Sequence, residues 1–237
     1  MKPFRTSPKR CRNSVPDWTA DLLGKTHIAA GVSAALALTA PTTVLGFGAA
    51  VAGGALGGML CDIDCKGTDR NRETITGAII AAVCIAAVVV FDIIAGNGII
   101  AYIRRTFGLE LIIGCICLIL CCIWGCRSPH RTFTHSLTGL VLMSGSIWLI
   151  CAPLGIAVGI GMVSHILLDL CNRRRIPLLY PMRKPAVCFR LCDADGTVNS
   201  VLCVLFTLLA AVLILDRGSL VILHIDLIAL VRGVLGF

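Results

Sequence analysis

Seven residues of this chain have the types and spacings that hold a metal ion: His27, Asp62, Asp64, His130, His135, His165 and Asp169. Imidazole nitrogen and carboxylate oxygen are the donors that zinc, manganese and iron select, at about 2.0–2.2 Å for zinc. His165 and Asp169 stand four apart, one above the other on a helix face, so both reach one centre. Asp62 and Asp64 skip one residue, which points both carboxylates the same way in an extended segment and apart on a helix. His130 and His135 are five apart, a spacing that suits a turn followed by a helix capped by Thr132 or Thr134. Seven donors exceed what one tetrahedral ion needs, so two ions sharing a carboxylate are the economical expectation. Singly, the signals have plainer readings. His130 beside Arg127 and Arg131 reads as a positive cluster, and Asp62-Ile63-Asp64 as the start of a solvated loop. Asp169 is harder to set aside, because an acid inside the apolar run Met162–Cys171 is costly in lipid unless functional or paired.

The elements that must position these residues are helices in a bilayer. Of 237 residues, 57% are apolar and 14% charged, with a mean hydropathy of +0.91. A soluble domain has about 25% charged residues and could not cover its surface from this composition. The expected fold is all-α: a polytopic helical membrane protein with about 6–8 membrane helices and the His/Asp site at their cytoplasmic ends. Apolar runs fall at 27–40, 47–60, 75–94, 109–124, 136–152, 154–171 and 200–215, with a last stretch from Ser219 to Val234. They divide the chain into a basic cytoplasmic arm (1–26), a helical membrane domain (27–215) and a C-terminal apolar or interfacial helix (216–237). A basic start before an apolar stretch also occurs in signal peptides, but this arm is long for one. The first two runs are short for a crossing and predict a tilted or partly inserted hairpin turning at Pro41-Thr42-Thr43. Gly53, Gly54, Gly57 and Gly58 form a small-xxx-small pattern that lets a second backbone approach.

Threading these runs through a bilayer returns the chain to one face at His27, Asp62-Ile63-Asp64, His130–His135 and His165–Asp169. Charge agrees independently. Seventeen of the 21 Lys and Arg fall on that face, and the positive-inside rule makes it cytoplasmic. The net charge of +8 is thus a topology signal; no nucleic-acid partner is expected, and no protein partner is implied. Nine of the 14 Cys lie in or at the ends of apolar runs, where they act as small hydrophobes. His224 and Asp226, two apart on different helix faces, read as part of a solvated interfacial helix. Cys188-x3-Cys192 with Asp193 and Asp195 has the wrong spacing for a usual zinc knuckle.

The motifs together, Thr26-His27-x3-Gly31, Asp62-x-Asp64, His130-Arg131-x-x-Thr134-His135-Ser136, His165-x3-Asp169 and Ile176-Pro-Leu-Leu-Tyr-Pro-Met182, resemble a family. It is that of the YdjM-type membrane-bound metal-dependent hydrolases, described as LexA-regulated in enterobacteria. The resemblance spans about residues 25–185. It implies a helical fold in the bacterial cytoplasmic (inner) membrane, metal-dependent hydrolysis, and the seven residues above as ligands. The family usually has Pro before the first Asp; here Cys61 stands there, as a substituted helix stop or a thiolate ligand. One or two divalent ions, zinc first and manganese or iron next, would activate water. An Asp not consumed as a ligand, Asp64 or Asp169, would take its proton, and Arg131 would hold an anionic substrate. Arg173, Arg174, Arg175, Arg183, Lys184 and Arg190 are placed to recruit phospholipid headgroups, although topology explains them equally well. Membrane lipids and an anionic or lipid-linked substrate are the expected partners. Two alternatives stand beside the hydrolase: a metal or ion transporter, disfavoured because its ligands would lie near the midplane, and a non-catalytic protein braced by a structural metal.

Overall fold

The turn at Pro41-Thr42-Thr43 does join two packed helices in the computed structural model, which describes residues 18–64, 90, 93–94, 108–172, 174–182, 184–191 and 197–235. Helix α1 runs Trp18–Thr39 and α2 Val44–Leu60, with a short 3-10 turn, Cys61–Asp64, after it. Helices α3 (Leu109–Arg127), α4 (Leu137–Ile150), α5 (Ala152–Cys171) and α6 (Thr197–Leu235) follow. No strand occurs among the described residues, and one isolated bridge pairs Ile176 with Val187. The run at 75–94 falls outside the described residues except at Val90, Ile93 and Ile94, as do Arg173, Arg183 and Cys192–Asp195.

Four stretches are long and apolar enough to cross a membrane: Val44–Asp64, Leu109–Arg127, Ala152–Cys171 and Thr197–Ile225. The 14-residue α4 is a shorter apolar helix. The expected all-α fold is met, with four stretches of membrane-crossing length, fewer than the 6–8 expected, among the described residues. Helix α3 exposes Ile116, Ile119, Leu120 and Ile123, and α6 exposes Leu208, Val212 and Leu215. Rows of large apolar side chains facing outward are what a bilayer accepts and water does not.

Glycine, not helix propensity, holds the centre together. The Thr43 side chain caps α2 by accepting from the Gly46 N–H at 3.1 Å, and the rest of the helix is stabilised by packing. A methyl group on Gly57 would fall on the Val158 carbonyl oxygen, so α2 and α5 meet backbone to backbone. The neighbours of Gly53 (Leu154, Ala157) and of Gly57 (Val158, Gly161) advance together, so the two helices are parallel. Gly54 meets Gly31 while Gly58 meets His27, so α1 is antiparallel to both. This register sets the middle of α1, at His27, beside the ends of α2 and α5.

Two boundaries differ from the sequence expectation. The first helix starts at Trp18, not at the first apolar residue near 27, because a helix needs only one apolar face and continues through a polar turn. The Asp216-Arg217-Gly218 stretch, expected to end the membrane domain, lies inside the 39-residue α6. A lone glycine costs a helix only about 1 kcal/mol, too little to end it. Exposed His224 lies on this same helix.

The loop after α5 folds back over the helix ends. Ile176 and Val187 exchange two backbone hydrogen bonds of 2.9 Å, Phe189 N–H donates to Leu170 O, and Leu137 N–H donates to Leu178 O. Ile176 thereby joins a buried cluster with Cys61, Phe133, Met162 and Leu170.

Candidate metal centre

Six of the seven ligand-type side chains come from element ends or the loop beside them. His27 lies mid-way along α1, Asp62 and Asp64 on the 3-10 turn, His130 and His135 on the loop before α4, and His165 and Asp169 in the last turns of α5. The parallel pairing of α2 with α5 and the reversal of α1 bring all seven to one end of the bundle. His27, Asp64, His135, His165 and Asp169 are buried; Asp62 is half-buried and His130 exposed. Three groups have donor atoms mutually within 4.8 Å: His27 with His165 and Asp169; Asp62 with His135 and His165; and Asp62 with Asp64 and His130. The first and third share no residue.

The histidines are oriented from behind. His165 Nδ1 donates to the Gly58 carbonyl at 2.7 Å, which fixes the proton on that nitrogen and turns Nε2 inward. His135 Nδ1 lies 3.0 Å from Thr134 Oγ1, and that hydroxyl gives its own proton to Asp64 Oδ2 at 2.8 Å. His135 Nδ1–H therefore donates to Thr134, and its Nε2 also faces inward. His135 Nε2 lies 3.3 Å from Asp169 Oδ2 and 3.5 Å from Asp62 Oδ1, while His165 Nε2 lies 3.6 Å from Asp62 Oδ1. The rings of His27 and His165 stack at 3.9 Å.

Among the described residues His135 Nε2, His165 Nε2 and Asp169 Oδ2 are buried without a hydrogen-bond partner. Two imidazole nitrogens and a carboxylate oxygen left unsatisfied around one point fit a divalent cation. Charge points the same way. Burial works to lower the pKa of His135, but the carboxylates of Asp169, Asp62 and Asp64 outweigh it and hold the group well above the usual histidine range. Three carboxylates face this imidazole and Arg131, an excess of negative charge that a cation offsets.

Asp64 is the most engaged of the acids. Its Oδ1 accepts from His130 Nδ1 at 2.7 Å, and its Oδ2 accepts from Arg131 N–H at 2.9 Å as well as from Thr134. Asp169 Oδ1 accepts from Arg131 Nη2 and from Asn172 Nδ2, each at 3.1 Å, and its second oxygen remains open to the centre. Arg131 itself has left-handed backbone, φ 62°, which turns the loop so that its N–H meets Asp64 while its guanidinium meets Asp169.

Several expectations are sharpened here. Asp62 and Asp64 lie on a 3-10 turn and so diverge, yet each finds the centre: Asp62 approaches His135 and His165, Asp64 approaches His130. Helix α4 is capped by Ser136, which accepts from the Gly139 N–H, and not by Thr132 or Thr134. Thr134 faces Asp64 instead. Cys61 is buried in the apolar cluster of Phe133 and Met162 and belongs to none of the three ligand groups. The helix-stop reading suits it. Sequence reasoning missed three supports: the hydroxyl of Thr134 as a relay, Asn172 and the Gly58 carbonyl. Only Thr134 carried a signal, its place in the His130–Ser136 motif.

A family model described as YdjM inner membrane protein matches residues 22–236 of the chain. The chain belongs to this family. The match reaches beyond the motif region to include α6, so the YdjM unit takes in the long C-terminal helix as well as the ligand-bearing bundle. The family description and the apolar helices agree on a membrane location. No curated protein and no solved structure gives a significant match.

Proposed function

We propose that this YdjM-family protein is a membrane-embedded metal-dependent hydrolase that cleaves an ester or phosphoester at the membrane surface. One observation carries the reading: Nε2 of His135, Nε2 of His165 and Oδ2 of Asp169 converge, each held from behind and each otherwise unsatisfied among the described residues. His27, Asp62, Asp64 and His130 would complete one or two ion sites, and the two ligand groups that share no residue favour two. Zinc suits this nitrogen and oxygen donor set, with manganese or iron next. When bound, such an ion acidifies water and draws charge from the oxygen of the group under attack.

The chain's own groups supply the rest. Where the Asp62, His135 and His165 group holds the ion, Asp169 Oδ2 is not consumed as a ligand and receives the proton that water gives up as its oxygen bonds to phosphorus or carbonyl carbon, passing it to the ester oxygen as that bond breaks. Asp64, whose oxygens are already engaged, orients His130 and, through Thr134, His135. Asp62 and His130 form the accessible flank through which substrate enters. By the distribution of Lys and Arg, the centre and the N-terminus face the cytoplasm.

Complete burial of His135 and His165 supports a second reading, a closed structural metal site. Metal analysis of purified protein, with hydrolysis assays on phosphate and carboxylic esters for wild type and His165→Ala, separates the two. The hydrolase reading expects bound metal and turnover, both lost in the variant. Metal without turnover of any ester supports the structural reading, and wild-type protein without metal overturns both.

A further inference from the structure

Arg131 has more hydrogen-bonding capacity than the protein uses. Its Nη2 donates to Asp169 Oδ1 at 3.1 Å and its backbone N–H to Asp64 Oδ2 at 2.9 Å. Its Nε and Nη1 are buried with no partner among the described residues. A guanidinium carries five N–H donors in a planar fork, and leaving several buried and unpaired is costly unless a ligand takes them. The residue is held at both ends, its backbone N–H on Asp64 and its guanidinium on Asp169 through Nη2. It is bonded directly to Asp169, the residue whose second oxygen opens on the centre.

We infer that Arg131 is an anion clamp, and that the substrate of this centre is a phosphoryl ester and not a carboxylic ester. The inference rests on the hydrolase reading and narrows it. A carboxylic ester is neutral and offers one carbonyl oxygen, which the metal centre alone satisfies. A phosphoryl group is anionic and offers several oxygens, enough to meet the centre on one side and the Nε and Nη1 donors on the other. Hydrolysis then adds water across the P–O ester bond: the water oxygen bonds to phosphorus, the ester oxygen leaves with a proton as the alcohol, and phosphate stays on Arg131 until release. The same chemistry serves a lipid headgroup or a water-soluble phosphate.

Binding is the test, read apart from turnover. Inorganic phosphate is titrated calorimetrically into the full chain in detergent, zinc-loaded and chelator-treated, for wild type, Arg131→Gln and Arg131→Gly. The glycine variant removes the guanidinium while accepting the left-handed backbone, so it guards against misfolding of the loop. Arg127→Gln is the control, since it removes a nearby arginine charge at an exposed position that belongs to none of the ligand groups. The clamp expects both Arg131 variants to weaken phosphate about 10- to 100-fold while Arg127→Gln does not. Equal weakening in all three variants, or none in the Arg131 pair, overturns the inference. Turnover of a carboxylic ester unaffected by Arg131→Gln also overturns it while leaving the hydrolase standing. Loss of phosphate binding without turnover of any ester leaves the clamp and removes the hydrolase. Phosphatidylcholine vesicles doped with phosphatidic acid, compared with glycerol phosphate, then show whether the phosphate that competes best is carried by a lipid.

Discussion

At the scale of single residues, the centre is built from ligand-type side chains and a set of groups that aim them. The aiming groups make the sharper test. Thr134→Val keeps the shape but breaks the relay between His135 and Asp64 and leaves Asp64 Oδ2 one donor short. Outer groups of this kind typically contribute 10- to 100-fold to metal affinity. Thr134→Val is accordingly expected to weaken zinc by about that factor in a chelator competition, with helix content by circular dichroism unchanged. His165→Ala should abolish the first two ligand groups together, since His165 belongs to both. The ligand-type residues were legible in the sequence because His and Asp have few other reasons to stand in apolar surroundings. The Gly58 carbonyl was not: every residue has one, and only the packing of α2 against α5 selects which carbonyl meets an imidazole.

At the scale of elements, the close contact of α2 with α5 is the seam on which the centre depends. Gly57→Ala forces a methyl onto the Val158 carbonyl and should cost about 1–3 kcal/mol, the range for overpacking. Thermal unfolding in detergent should show a lowered Tm, and metal affinity should fall with it although no ligand is touched. Gly159→Ala is the contrast, because a methyl there meets only the Ser144 side chain, Cβ at 3.4 Å and Oγ at 3.6 Å, and should be near neutral. Ser136→Ala removes the cap of α4 and should cost about 1 kcal/mol. The glycine pattern of α2 announced close packing but not the partner, which turned out to be two helices, α1 on one face and α5 on the other. The cap was misassigned for a related reason. In Thr132-Phe133-Thr134-His135-Ser136 three residues are competent caps, and the choice among them depends on which hydroxyl Asp64 claims first.

At the scale of the whole molecule, the alternation of apolar runs already implied that the ligand segments share one face, because an even number of crossings separates each from the next. The described helices bring them to one end of the bundle; which side of the membrane that end faces is a matter for labelling. In a cysteine-free background, single cysteine reporters at Thr68 and Gly98 should label from opposite sides of intact inner-membrane vesicles, with Thr68 cytoplasmic. Labelling of both from one side removes the threading on which the cytoplasmic assignment rests. The length of α6 was not legible, since polarity at Asp216 and Arg217 resembles an ending and only tertiary context shows a helix passing through it.

The bond from His165 to Gly58 has one more consequence. Gly58 lies on the very seam where α2 packs, so the groove that mates two helices also serves as the gauge that orients an imidazole. A slip of α2 by one residue would carry that carbonyl about 1.5 Å along the axis and about 100° around it. The imidazole would lose its acceptor before the helices lost their fit. Natural variation along this seam should therefore be narrower than along lipid-facing positions of equal burial, with drift in one helix answered by compensating change in the other.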